Sequence, residues 1–303
     1  MIEIYDFVKG SAVDNPAEPL SLALGSFDGV HVGHRALLEA ARTAAAECGA
    51  APAVWTFEKS PSGAPELTPK AEKLRIFAAL GMRYAIVCPF EEVKSMPAKE
   101  FVSELLIGRL GVRAAVCGFN HRFGRGGAGD AALLERLMRE SGGICRIIEP
   151  VTYGGAVVSS SRIRTALAEG QVEEAAAMLE RPFALCAEVD HGRKLGRRLG
   201  FPTVNQRFPR GHALPGLGVY ACRCMGRAAV CNIGTRPTVT DSDEVVCETH
   251  IIGYDGDLYG KELRVELLSF LRPEQKFASL EELSAQLERD INAASELFAR
   301  FDM

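Results

Sequence analysis

The chain has 303 residues, 47% of them hydrophobic, with 35 basic against 39 acidic side chains and a net charge of −4. That length predicts two domains, and the slight negative balance speaks against broad nucleic-acid binding, so any basic site must be local. Apolar stretches such as Tyr84 to Phe90 are too short to cross a bilayer, and Glu3 and Asp6 stand where a signal peptide carries basic residues; the expected location is cytoplasmic, with no membrane partner.

Leu20 to Leu24 reads as a buried strand that runs into a loop holding Gly25, Gly29, Gly33, His31 and His34. Arg35 to Cys48 then predicts a helix, with Leu37, Leu38, Ala41, Ala45 and Cys48 near one face and Gly49 as its stop. A strand, a Gly-rich turn and a helix N-terminus make a phosphate site, because free N–H groups and the positive dipole end point at the turn. The spacing His31-Val-Gly-His34 lets both imidazoles reach oxygens of one phosphate, with Gly33 leaving room for a nucleotide. That favours attack on the α-phosphate of ATP. Two surface histidines beside an ordinary turn are the plainer alternative.

Ala51 to Phe57 is a second strand, residues 58–70 a loop, and a helix with Leu74, Phe77 and Leu80 on one side ends at Gly81. Strands at Tyr84 to Cys88, Ala114 to Cys117 and Ile144 to Ile148 alternate with helices at Ala98 to Leu110 and Ala131 to Glu140. This alternation predicts an α/β domain, an open parallel sheet covered on both faces, with ligands beyond the carboxyl ends of its strands. Two segments should meet there. Residues 117–130 combine Asn120, Arg122 and Arg125 with several glycines, or else form a flexible surface loop. Ser159, Ser160 and Ser161 with Arg162 and Arg164 open a helix expected over Thr165 to Glu169. Hydroxyls cap such a start, and the group can also hold the β- and γ-phosphates of ATP.

A helix from Val172 to Glu180 ends at Arg181-Pro182, and the domain boundary is expected there. Short alternating runs follow at Phe183 to Val189, Gly218 to Cys224, Ala228 to Ile233, Val245 to Ile252 and Leu263 to Leu268, the pattern of a small antiparallel barrel. Between the first two lies a loop with Gly192, Gly196 and Gly200 among Arg193, Lys194, Arg197 and Arg198. Such a loop wraps a polyphosphate through backbone N–H groups and local charge, without Walker A spacing; a basic RNA-binding loop is the alternative. Thr203 and Asn205, two apart on one face, are hard ligands suited to Mg²⁺. Glu248 is a carboxylate amid apolar neighbours, which requires a buried partner or a function. The nine cysteines contain no CxxC pair and read as reduced buried thiols; Cys222-Arg-Cys224, with Cys231 and Cys247, is better explained by strand packing than by zinc. Ser279-Leu-Glu-Glu282 is a capping box for a last helix whose Leu283, Leu287, Ile291 and Leu297 are expected to pack.

These segments, in this order, resemble the bacterial bifunctional riboflavin kinases/FAD synthetases across nearly the whole chain. Gly25-Ser-Phe-Asp-Gly-Val-His-Val-Gly-His34 is similar to their form of the His-X-Gly-His signature of nucleotidylyltransferases. Gly118-Phe-Asn-His-Arg-Phe-Gly124, Ser159-Ser-Ser-Arg-Ile-Arg164 and Gly200-Phe-Pro-Thr-Val-Asn205 match further motifs, as do Asn232-Ile-Gly-Thr-Arg-Pro-Thr238, Asp255 to Gly260 and Phe270 to Phe277. His121 replaces an aromatic residue, Val204 an alanine, and Phe57-Glu-Lys-Ser-Pro-Ser-Gly63 stands where the family carries a His-Pro pair.

The resemblance implies a Rossmann-like FMN adenylyltransferase domain over 1–182 and a riboflavin kinase barrel with a terminal helix over 183–303. It implies catalysis by His31, His34 and Glu248, the last as base toward the 5′-hydroxyl of riboflavin. ATP and its phosphates would meet Gly25, Phe27, Asp28, Gly29, Gly33, Asn120, Arg122, Ser159, Ser160, Ser161 and Arg164 in one domain, and Gly192, Lys194, Gly196 and Gly200 in the other. Arg272 would contact flavin, while Thr203 and Asn205 hold Mg²⁺. The substrates are then riboflavin, FMN and ATP, with FAD as product and no nucleic acid, in a monomer or weak homo-oligomer. The rivals are an adenylate former of the aminoacyl-tRNA synthetase kind and a non-catalytic flavin-binding regulator; the full set of motif residues argues against the regulator.

Overall fold

The computed structural model describes residues 2–7, 16–190, 200–236 and 244–301. The chain packs as two compact units, Met1–Ser160 and Ser161–Met303.

The first unit is built on a six-stranded parallel sheet: β1 (Glu3–Asp6), β2 (Leu20–Leu24), β3 (Ala51–Phe57), β4 (Tyr84–Cys88), β5 (Val112–Gly118) and β8 (Ile144–Ile148), in the order β1-β4-β3-β2-β5-β8. Every residue of β2 and β4 is buried, as expected where helices cover both faces of a sheet. One apolar layer gathers Leu22, Leu24, Trp55, Phe101 and Leu134, the other Ala23, Phe27, Val54, Phe77 and Val116. From β2 the chain proceeds outward through β3 and β4, whereas β5 and β8 lie on the other side. The strand order therefore reverses between β2 and β5, and at such a switch point the loops leaving the carboxyl ends diverge and open a crevice.

The covering helices are α1 (Val32–Cys48), α2 (Lys70–Ala79), the short α3 (Phe90–Val93), α4 (Ala98–Glu100) and α5 (Ala131–Glu140). α1 starts three residues earlier than its apolar pattern indicates, because His31 caps it. It ends on Gly49 in the left-handed conformation, φ 62°. The helix expected from Ala98 runs on from α4 as a wider π-helix, Phe101–Arg109, closing with Leu110 N–H on the Leu105 carbonyl at 3.0 Å. β1 gives no sequence signal, being four residues long with charges at Glu3 and Asp6. Two small antiparallel pairs, β6 (Arg122–Phe123) with β7 (Gly129–Asp130) and β9 (Thr152–Tyr153) with β10 (Ala156–Val157), stiffen the connections.

The second unit starts with α6 (Ser160–Ala168) and α7 (Val172–Leu179), α6 straddling the division between the units. Ser160 and Ser161 thus open the first turn of α6, which begins at Ser160 and not at Thr165, and both arginines lie inside the helix. The remainder is a closed six-stranded antiparallel barrel of β11 (Phe183–Asp190), β12 (Val204–Arg207), β13 (Gly218–Cys224), β14 (Arg227–Arg236), β15 (Glu244–Ile251) and β16 (Glu262–Arg272), in the order β11-β12-β15-β14-β13-β16. β12 escapes the sequence pattern because Val-Asn-Gln-Arg has a single apolar residue. Its Gln206 is buried, where Nε2 donates to the carbonyls of Ala187 at 2.6 Å and Leu263 at 2.9 Å.

Alternation along the strands sends Tyr220, Cys222, Cys231 and Cys247 to one side. Val219, Ala221 and Val230 face the other way and pack against Ile291, Ala294 and Leu297 of α8 (Leu280–Phe301). The serine half of the capping box is formed, with Glu282 N–H on Ser279 Oγ at 3.2 Å, while the Glu282 carboxylate accepts from Ala278 N–H, one residue before the cap, at 3.0 Å. All nine cysteines are free thiols, and bonding to neighbouring thiols together with burial pushes Cys231 and Cys247 well above the ordinary thiol range. Among the described residues no group of three or more His, Cys, Asp or Glu is placed to hold a metal.

Leu22 is fully buried in the central strand β2, and cutting it to alanine is expected to cost the first unit about 2–5 kcal/mol. Denaturant unfolding followed by the fluorescence of Trp55, the sole tryptophan, reads that unit alone.

Candidate active sites

The turn from β2 to α1 lies at the switch point of the sheet. His31 is the N-cap of α1: its Nδ1 accepts the His34 backbone N–H at 3.3 Å. A nitrogen that accepts carries no proton, so this bond assigns the hydrogen of His31 to Nε2. The two imidazoles stack, centroids 3.7 Å apart and 15° from parallel, so they present a double edge at a helix N-terminus, where negative charge is favoured.

Gly33 makes room for this stack, since a Cβ there would meet the His31 ring at 3.2 Å. Gly25 has the same relation to Phe27, whose ring would sit 3.1 Å from a Cβ. Phe27 is a packing residue, completely buried, edge-on to Phe77 and 5.1 Å from the His34 ring. It takes φ 52° and Val30 takes φ 42°, conformations that only a firmly packed surround maintains. Asp28, expected near phosphate, turns its carboxylate onto the N–H groups of Leu67 at 2.8 Å and Thr68 at 3.3 Å. Its carbonyl receives Ser160 Oγ, within the same unit, at 2.8 Å.

Asn120 and Arg122 stand exposed just past the carboxyl end of β5, the strand beside β2. The buried Lys73 of α2 reaches the Phe57 carbonyl at 3.4 Å, just before the segment that lacks a His-Pro pair; burial lowers its pKa against the pull of Glu66 and Asp28. In α6, Arg162 pairs with Glu174 at 2.7 Å. Ser159 precedes that helix, Ser161 is exposed in its first turn and Arg164 is half-buried one turn on.

In the barrel, antiparallel register lines up a row. Asn205 of β12 lies opposite Glu248 of β15, and Glu248 opposite Asn232 of β14. The row continues through Val219 to Arg272. Thr203, just before β12, shares the Asn205 face. Glu248, Asn232, Thr203, His250 and Arg272 line a cavity of about 230 Å³, closed by Phe277 and by Leu283, Leu287 and Ile291 of α8. Leu283 and Leu287, expected only to pack, are walls of this cavity.

His250 Nδ1 lies 2.8 Å from the Pro202 carbonyl; the ring must donate there, since a carbonyl only accepts. Arg272 lines the cavity, but its guanidinium donates to Asp290 at 2.8–3.2 Å and to the Pro273 carbonyl. Gly200 is described, whereas Gly192, Lys194 and Gly196 lie outside the described residues. Sequence reasoning assigned no role to Asn232 or His250; the spacing of His250 two residues from Glu248 was an available signal, whereas the place of Asn232 one strand over follows only from the register.

A paired-imidazole turn at the switch point of a parallel sheet, joined in one chain to a barrel with a carboxylate at the mouth of an apolar cavity, defines a two-domain nucleotidyl- and phosphoryl-transferase. Residues 14–162 match the FAD synthetase family model and residues 179–298 the riboflavin kinase model. A bifunctional riboflavin kinase/FMN adenylyltransferase of Escherichia coli K12 is 38% identical over 296 residues, 93% of this chain and 94% of its own. Its counterpart in Bacillus subtilis is 34% identical, covering 92% of each chain. The chain belongs to this bifunctional riboflavin kinase/FMN adenylyltransferase family. A crystal structure described as a macrolide-efflux protein from Streptococcus pneumoniae has the same fold, with a TM-score of 0.88 and 28% identity over 97% of this chain and 99% of that one. Among the described residues no helix is long and apolar enough to cross a membrane.

Two tests follow from this geometry. Removing Asp290 leaves the mostly enclosed Arg272 unpaired, so Asp290→Ala is expected to destabilise the second unit by about 3–5 kcal/mol, measurable as a fall in its thermal unfolding temperature. Burial pulls the His121 imidazole down to about 4 from 6.5, and its Nε2 is shielded without a partner. The unfolded chain therefore takes up this proton first, and stability should fall as pH drops from 6.5 toward 4. His121→Phe should flatten that part of the stability–pH curve.

Proposed function

We propose that the first unit joins FMN to the adenylyl group of ATP, giving FAD and pyrophosphate, and that the barrel transfers the γ-phosphate of ATP to riboflavin, giving FMN. The observation that carries this is the cross-strand row that sets Glu248 between Asn205 and Asn232 at an apolar cavity, in the same chain as the His31–His34 turn. The functional boundary is taken at 182, so that α6 and its serine–arginine motif act with the adenylyl site.

In the barrel, Glu248 takes the proton of the riboflavin 5′-hydroxyl while that oxygen attacks the γ-phosphorus, and the bond to the β-phosphate oxygen breaks to release ADP. Little covalent chemistry is required beyond positioning and charge neutralisation. The Gly192 to Gly200 loop with Lys194 would wrap the phosphates. The residues fit Mg²⁺: Thr203 and Asn205 supply neutral hard oxygens on one face, leaving phosphates and waters to complete an octahedron. Bound there, the ion would neutralise phosphate charge. Arg272 contributes to the flavin pocket through its stem and its hold on α8.

In the first unit an FMN phosphate oxygen attacks the α-phosphorus and pyrophosphate leaves. The Nε2–H of His31 and the imidazole of His34 donate to the oxygens on which charge develops, while Asn120 and Arg122 face the incoming phosphate. Ser159, Ser160, Ser161 and Arg164 hold the departing one. The backbone of Gly25 to Gly29 forms the floor of this site. The reading has a cytoplasmic enzyme of small molecules, monomeric or weakly self-associating, without nucleic-acid or membrane partners.

Loss of one preorganised donor costs about 3 kcal/mol, on the order of 10² to 10³ in rate. His31→Ala is therefore expected to reduce FAD formation by that factor with FMN formation nearly unchanged, and Glu248→Ala to do the reverse for FMN made from riboflavin. Chelation of Mg²⁺ should stop FMN formation, and Asn205→Ala should raise the Mg²⁺ concentration needed. Chromatography of a mixture with riboflavin, ATP and Mg²⁺ measures all three; a folded wild-type protein yielding neither product would favour a non-catalytic flavin-binding role instead.

A further inference from the structure

We propose that Asn232 is a specificity-determining residue of the kinase site, its side-chain oxygen accepting a hydrogen bond from a secondary hydroxyl of the ribityl chain while Glu274 holds it in aim. The inference rests on the riboflavin-kinase reading of the barrel.

Asn232 Nδ2 donates to Glu274 Oε1 at 3.0 Å. A carboxylate can only accept, so this contact decides which way the amide faces and turns Oδ1 away from Glu274. That oxygen is shielded from solvent and receives no hydrogen bond, in a residue that lines the cavity. A buried acceptor left unsatisfied costs about 1–3 kcal/mol; a donor on the substrate removes that cost.

The arrangement is supported from behind. A Cβ at Gly234, two residues along β14 on the same face, would fall on the Glu274 carboxylate and come within 3.2 Å of Asn232 Nδ2. Any side chain there would displace Glu274 and release the amide. Glycine, glutamate and asparagine therefore form one built unit.

Position identifies the donor. Asn232 and Glu248 are direct cross-strand partners, and such side chains leave one face with Cβ atoms roughly 4.5–5.5 Å apart. If Glu248 meets the reacting 5′-hydroxyl, the neighbour one strand over meets the polyol carbons beside it. The apolar lining, Val219 and Val230 beside Asn232 and Phe277, Leu283 and Leu287 beyond, suits the flat ring. A site built to bond a hydroxyl rejects an analogue that lacks it far more strongly than an apolar pocket rejects a missing methylene.

The test compares kcat/KM for riboflavin and its 2′-, 3′- and 4′-deoxyribityl analogues in wild type, Asn232→Ala, Gly234→Ala and Glu274→Ala. Wild type should lose about 10- to 100-fold on one analogue. Asn232→Ala should lose a similar factor on riboflavin, mostly in KM, and no longer discriminate against that analogue. Gly234→Ala should behave the same way although the asparagine remains, and Glu274→Ala, an exposed change, should lose part of the discrimination. FAD formation from FMN should be unaffected in every variant, which reports an intact chain. Asn232→Ala with wild-type KM and discrimination, or with equal losses on all four flavins and discrimination retained, would overturn the proposal. A wild-type protein that fails to phosphorylate riboflavin would overturn the kinase reading beneath it.

Discussion

In a closed antiparallel barrel a side chain faces in or out, and the register of the ladder decides which residues stand side by side. The second unit depends on this constraint. Gln206, Cys222, Cys231 and Cys247 occupy one side, with hydrogen bonds to carbonyls and thiols but no chemistry. Asn205, Glu248 and Asn232 occupy the other, three polar groups on three adjacent strands. A slip of one residue in β15 would bury Glu248 among thiols and expose Cys247 and Thr249 in its place. Pairing on both edges of every strand makes that slip costly, so the catalytic row inherits its precision from backbone hydrogen bonds.

The first unit reaches comparable order by different means. Its histidine pair sits where a loop meets the first turn of a helix, and loops are ordinarily the least ordered parts of a fold. Here the loop is anchored at both ends: His31 caps the helix that follows, and Asp28 binds the backbone at Leu67 and Thr68. Phe27 and Val30 are wholly buried despite left-handed backbones. Burial of two large apolar side chains offsets the conformational strain, and the strain turns the chain sharply enough to bring two imidazoles into a stack. The glycines matter through the atoms that occupy the space beside them.

Much of this was legible from residues alone. Unbroken apolar runs such as Leu20 to Leu24 and Tyr84 to Cys88 marked buried parallel strands, and the glycine-histidine turn marked the crevice. What stayed hidden had physical reasons. β12 has too few apolar residues to register as a strand, since its stability comes from pairing on both sides. The N-terminus of α6 was placed late because serines suit the first helical turn as well as a loop. That Asp28 also binds the backbone at Leu67 and Thr68, and that Gly33 also yields space to the His31 ring, could not be read from the motif, because both depend on atoms distant from it or on a side-chain stack. The contribution of Leu283 and Leu287 to a cavity required knowing which face of the barrel the last helix covers.

Among the described residues, the same barrel closure that orders the catalytic row pairs both edges of every barrel strand, and the six-stranded sheet of the first unit has two edge strands. One is β1, four residues long and bearing Glu3 and Asp6; the other is β8, with Arg146 at its middle paired to Glu47. Short length and embedded charge both discourage a foreign strand from adding on. Each edge of the six-stranded sheet is thereby a poor template for a second copy of this chain.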